Sequence, residues 1–132
     1  PFSLFPGMTR ILTVIDGAGI DLLSADGVME ARLYRPVPFS GDLDVTARLV
    51  GGSVRNLNLI YDANAVEAAA EEVFGPAILP CAVGTVGFLC LSGAVTVAGN
   101  GLPTGAFVLG TGADVALATG AAGLLITLRG LT

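Results

Sequence analysis

Ile11-Leu-Thr-Val-Ile15-Asp16-Gly17-Ala18-Gly19-Ile20-Asp-Leu-Leu23 is the stretch on which the fold class turns. Ile11 to Ile15 is rich in β-branched residues, whose stiff χ1 favours extended backbone. Asp16 to Gly19 then supplies residues that tolerate positive φ, and the extended pattern resumes at Ile20. The spacing predicts a β-hairpin. Outward from it the same grammar repeats. Ala25-Asp26-Gly27 is a turn signal, and Val28 to Tyr34 alternates apolar and polar with period two, as a strand with one wet face does. Pro36 and Pro38 bracket Val37 in an edge segment, Ser40-Gly41-Asp42 turns, Asp44 to Val50 alternates, Gly51-Gly52 turns, and Asn56 to Tyr61 follows. About six short strands in sixty residues is the spacing of a barrel or sandwich.

The segment after Asp62 carries two readings. Asn64-Ala-Val-Glu67 has the form of a capped helix start, Ala68 to Glu72 favours helix, and Gly75-Pro76 would end it, so at most one short helix is expected near residues 64–74. A strand is the rival, because tertiary pairing overrides weak local preference. From Cys81 strand patterns return at residues 82–91, 94–98, 106–109, 114–118 and 123–129, parted by Asn100-Gly101, Gly110-Thr-Gly112 and Thr119-Gly120. The expectation is an all-β chain of two β-rich halves, residues 1–62 and 63–132, packed as one compact unit.

Composition narrows the chemistry. The 132 residues contain no His and no Trp, and the six basic residues are all Arg, so Lys is absent as well. Without His there is no imidazole base for a Ser or Cys nucleophile and no His-ligated metal; without Lys there is no Schiff base and no phosphate-loop lysine. A net charge of -5 has the wrong sign for nucleic acid or an anionic membrane surface. Apolar residues make up 53%, yet Gly, Pro or a charge interrupts every run before the length a membrane helix needs. Cys81 and Cys90 are too far apart for a CxxC pair and too few to staple a secreted fold, which predicts two buried thiols and a cytoplasmic location.

Few residues stand out as functional. Gly17-Ala-Gly19 is no dinucleotide loop, since Leu22 holds the third glycine position and a strand follows where a helix is required. Asp42 and Asp44 beside Gly41 read as a polar turn, and Glu67, Glu71 and Glu72 as a solvated face. Arg10 and Arg55 are different. Arg is scarce here, each sits at the lip of a strand, and a guanidinium matches a carboxylate bidentately. The alternative is that each pairs with a surface acid. Asn56 and Asn58 alternate with Leu57 and Leu59, so the amides share one face of their strand; if that face lines a barrel interior, Asn58 requires a partner.

Phe2-Ser-Leu-Phe5-Pro-Gly7 with Arg10, Leu12 to Ile15, Gly17-Ala-Gly19, Phe39-Ser-Gly41-Asp42, and Gly51 with Arg55-Asn-Leu-Asn58-Leu resemble the HutD/Ves family of cupin-like proteins, in order and spacing, over about residues 1–61. The resemblance implies a cupin-like double β-barrel, a bicupin, in a bacterial cytoplasmic protein that regulates histidine utilisation. It implies binding of a small carboxylate metabolite, formylglutamate-like or urocanate-like, by Arg10, Arg55, Asn58, Asp42, Ser3 and Phe5. With no His in the chain it implies a member without a metal or other cofactor. The family pattern carries Asp where Asn56 stands and Phe where Leu57 stands, and a Trp-Lys-Asn-Gly-Gly-Gly stretch ahead of Pro1 that this chain lacks. Two other classes stay open: a cupin-superfamily enzyme of isomerase or hydrolase type using Asp42 or Tyr61, and an oligomeric scaffold, for which exposed strand edges would serve. A homodimer is compatible with the binding reading.

Overall fold

The computed structural model describes residues 4–81, 86–110 and 112–131, and every regular element among them is a β-strand. The chain divides into two compact units, residues 1–66 with 131–132, and residues 67–130.

Unit 1 contains β1 (Thr9–Asp16), β2 (Ile20–Ser24), β3 (Gly27–Ala31), β4 (Val37–Ser40), β5 (Thr46–Leu49) and β6 (Arg55–Tyr61). They form two antiparallel sheets, ordered β4-β1-β6 and β3-β2-β5. Leu12, Val14 and Phe39 from the first sheet and Ile20, Leu22 and Ala31 from the second, with Val45, make one buried cluster. Each large side chain in it contributes about 1.5–3 kcal/mol of burial.

The chain from Ile11 to Leu23 is not a hairpin. β1 and β2 lie in different sheets, because a core forms only when Leu12 and Val14 oppose Ile20 and Leu22 across the interior rather than beside them. Gly17 to Gly19 is therefore a corner. Gly19 takes φ +130°, and a Cβ there would lie 2.6 Å from the Ala31 carbonyl oxygen. The local hairpin is β2–β3, where Ser24 faces Gly27 across Ala25-Asp26 and the Asp26 N–H donates to Ser24 Oγ at 3.2 Å. On β2, Asp21 accepts from Arg32 at 2.9 Å and Arg48 at 2.8 Å. The two guanidiniums, Arg48 foremost, hold its carboxyl below the ordinary carboxylate range.

Unit 2 contains β7 (Val66–Phe74), β8 (Ala77–Leu79), β9 (Val86–Ser92), β10 (Val95–Val97), β11 (Asn100–Gly101), β12 (Phe107–Leu109), β13 (Val115–Leu117) and β14 (Ala122–Gly130). The sheets are β12-β9-β14-β7 and β11-β10-β13-β8, closed over Phe88, Cys90, Val95, Val115 and Leu117. The space at Gly123 belongs to the Phe88 ring, whose Cζ would stand 2.0 Å from an added Cβ. Cys81 and Cys90 are both buried free thiols, and burial pushes the Cys90 thiol up.

Besides the Ile11–Leu23 hairpin, two further expectations need correction. The 64–74 segment is strand, not helix: its helix preference amounts to tenths of a kcal/mol per residue, which pairing with β14 overrides. Its burial accordingly alternates from Val66 to Glu71. Asn100-Gly101 is not the turn after β10 but the strand paired to it; Ala98 (φ 51°) and Gly99 (φ 79°) make the turn.

Candidate functional site

Arg10 is the second residue of β1. It shares the interior face with Leu12 and Val14, since residues two apart on a strand project to the same side. Register places it opposite Phe39 on β4 and Ile60 on β6. The side chain is only 3% exposed, and its Cζ lies 5.0 Å from the centroids of both the Phe5 and the Phe39 rings. Two cation–π contacts at this depth are stronger than surface ones, about 2 kcal/mol each when desolvated. Burial draws the guanidinium below its ordinary pKa, and an arginine stays charged all the same. A guanidinium meets a carboxylate bidentately through its N–H donors.

Phe5 holds its place through a turn riveted to the end of β4. Its N–H donates to the Gly41 carbonyl at 2.9 Å, the Gly41 N–H donates to the Met8 carbonyl at 2.7 Å, and the Met8 N–H closes the turn on the Phe5 carbonyl at 3.1 Å. Gly7, at φ +77°, donates its N–H to Asp42 Oδ1 at 3.1 Å, and the Asp42 N–H donates to Ser40 Oγ at 3.1 Å. Gly41 has to be glycine. A Cβ there would meet the Phe5 carbonyl oxygen at 2.3 Å and the Met8 carbonyl oxygen at 2.9 Å.

Asn58 faces Leu12, and Asn56 faces Val14, so both amides stand on the interior face, yet both are exposed. Across the register Asn58 is the diagonal neighbour of Arg10, about 7–8 Å away at Cα. The inner side of β6 is therefore exposed at Asn56 and Asn58. Arg55 is not part of this group. It is exposed, opposes Asp16, and stands five residues from Ile60, about 17 Å along the strand. Asp42 shapes the turn that carries Phe5, and Tyr61, opposite Thr9, projects from the other face of β6. Ser3 lies outside the described residues.

The structure thus brings together Arg10, Phe5 and Asn58 of the expected set and adds Phe39. The sequence analysis did not single out Phe39 as a ring for a cation; the signal that could have found it is its period-two spacing from Val37, which puts the two on one face of the edge segment.

Two barrel-like units of antiparallel strands with a polar group set on the inner face of the first define a cupin-like β-protein of the bicupin type. The chain belongs to the HutD family, matched over residues 1–130 and linked to histidine utilisation. It is 36% identical over 98 residues to an uncharacterized 21.2 kDa protein in the hutC 3' region of Pseudomonas putida, a match covering 73% of this chain and 51% of that protein. The chain therefore spans about half the length of that relative. It superposes with TM-score 0.79 at 30% identity on HutD from Pseudomonas fluorescens, covering 99% of this chain and 73% of that one. The fold is shared at lower identity with a conserved protein of unknown function from Pseudomonas aeruginosa (23% identity, TM-score 0.77, 98% of this chain and 76% of that one). It is also shared with the Escherichia coli protein Ylba (12%, 0.61, 93% and 68%). No helix among the described residues is long and apolar enough to cross a membrane.

Proposed function

We propose that unit 1 binds a small carboxylate metabolite of histidine degradation, formylglutamate-like or urocanate-like, without transforming it, and that binding serves regulation of that pathway in the cytoplasm. The observation that carries the reading is the buried Arg10, within 5.0 Å of the Phe5 and Phe39 ring centroids on the inner face of unit 1, with the exposed Asn58 as its diagonal neighbour. The Arg10 edge takes the carboxylate. The Asn58 amide, donor and acceptor at once, complements a formamido group or an imidazole nitrogen. The rings cover the apolar stem of the ligand. Asp42 already accepts the Gly7 N–H and so acts as a structural clamp rather than an acid or base, which favours binding over catalysis.

Calorimetric titration with formylglutamate, glutamate and urocanate tests the proposal. Saturable heat with at least one of them, weakened about tenfold or more in Arg10→Met and in Asn58→Ala, is expected, since a hydrogen bond to a charged group is worth about 1.5–3 kcal/mol. No heat with any of the three would overturn it.

A further inference from the structure

We infer that unit 2 carries its own ligand site, a groove at the end of β7 and β14 that takes the zwitterionic head of a neutral α-amino acid. Glu67, Ala68 and Ala69 on β7 and Thr127, Leu128 and Arg129 on β14 line this groove, whose volume is about 290 Å3.

Register places the polar residues on the inner side. Gly123 faces the Phe88 ring in the core, and residues two apart share a face, so Leu125, Thr127 and Arg129 project to the same side as Gly123. At the far end of the pair the Gly75 N–H donates to the Ala121 carbonyl at 2.8 Å, and at this end Glu67 is ion-paired with Arg129. Thr127 lies opposite Val86, the residue two before Phe88 on β9. In unit 1, Ile60 lies opposite Arg10, the residue two before Leu12 on β1. Thr127 thus stands where Ile60 stands in unit 1, one strand over from the Arg10 position, which Val86 holds here. The two cups carry different polar sets: a stacked guanidinium with an amide in one, and a carboxylate, a hydroxyl and a guanidinium in the other.

That set specifies the ligand. One negative and one positive group at the rim match a molecule carrying both charges, the carboxylate going to Arg129 and the ammonium to Glu67, with the Thr127 hydroxyl between them. The Glu67 and Arg129 side chains are 59% and 73% exposed, and an exposed pair contributes little, so parting it around a ligand costs little. Ala69, on the same face as Glu67, keeps the floor low enough for the ligand to enter.

The test is a 1H–15N titration of the Arg10→Met chain, in which the unit 1 site is silenced, with glycine, alanine and serine. Propionate and ethylammonium serve as single-charge controls. Saturable shifts at the Glu67, Ala69, Thr127 and Arg129 amides are expected at a Kd on the order of 1 mM or below, with both controls about tenfold weaker. Arg129→Gln and Glu67→Gln should each weaken the amino acids about tenfold while leaving the melting temperature within about 2 °C, as surface changes do. Absence of saturable shifts at these amides, affinity unchanged in both variants, or propionate binding as tightly as alanine would each overturn the inference.

Discussion

Gly41→Ala probes the support of the site without touching the cation. The added methyl would sit 2.3 Å from the Phe5 carbonyl oxygen, 2.9 Å from that of Met8 and 3.1 Å from Phe5 Cβ. The two closest atoms are backbone, so no rotamer change relieves the clash. The 5–8 turn has to lift, which strains or breaks the Phe5 N–H to Gly41 and Gly41 N–H to Met8 hydrogen bonds. At about 1 kcal/mol for each bond and about 1–2 for the lost Phe5–Arg10 contact, the cost is about 3–4 kcal/mol. For a chain of this length that is a fall in Tm of about 10–20 °C, read by thermal denaturation. The same variant should lose carboxylate affinity, because Arg10 loses one of its two rings. A variant that melts within about 1 °C of the parent and binds unchanged would refute the coupling between the turn and the site.

Other perturbations separate further parts of the account. Gly123→Ala places a methyl 2.0 Å from Phe88 Cζ in a fully buried position, so it should destabilise by about 1–3 kcal/mol or prevent folding, scored by denaturant midpoint. Arg55→Gln, about 17 Å from Arg10 along the strand, should leave carboxylate affinity unchanged in calorimetry. The Asp21 carboxyl titrates lower in the folded chain than in the unfolded one, so its contribution is full above the unfolded value of about 4 and is lost as pH falls through the folded value. Asp21→Asn should therefore lower stability at pH 7 and flatten the loss below pH about 4, measured as Tm against pH; an acid limb identical to the parent would contradict this.

Strand identity was legible wherever side chains alternated against a core. Val28 to Tyr34, Asn56 to Tyr61 and residues 123–129 were read as strands, and β3, β6 and β14 stand there, although β3 ends at Ala31 and Tyr34 turns away at φ 67°. What did not read was partnership. The Ile11–Leu23 segment looks like a hairpin in residue types, but a glycine corner and a glycine turn use the same residues; only the need to oppose Leu12 to Leu22 across the core distinguishes them. The Val66–Phe74 strand was hidden by Ala and Glu, whose local preference runs toward helix while the sheet edge beside β14 supplies the stronger demand. At the site, Arg10 and Asn58 were legible as scarce polar residues in strand context. Their proximity was set by the β1–β6 register, which excludes Arg55 and which no local pattern encodes. Phe39 was unreadable as a site residue because an aromatic on an inward face is ordinarily core.

The most direct measurement is paired calorimetry of the parent chain and Arg10→Met with formylglutamate, glutamate and urocanate, alongside their melting curves. Arg10→Met gives up both ring contacts, so the variant is expected to melt below the parent, and binding is compared at a temperature where both chains are folded. The prediction is saturable binding of at least one carboxylate to the folded parent and its loss in the variant, which melts lower but still cooperatively. Binding that survives Arg10→Met undiminished would contradict the claim that this stacked arginine is the carboxylate receptor.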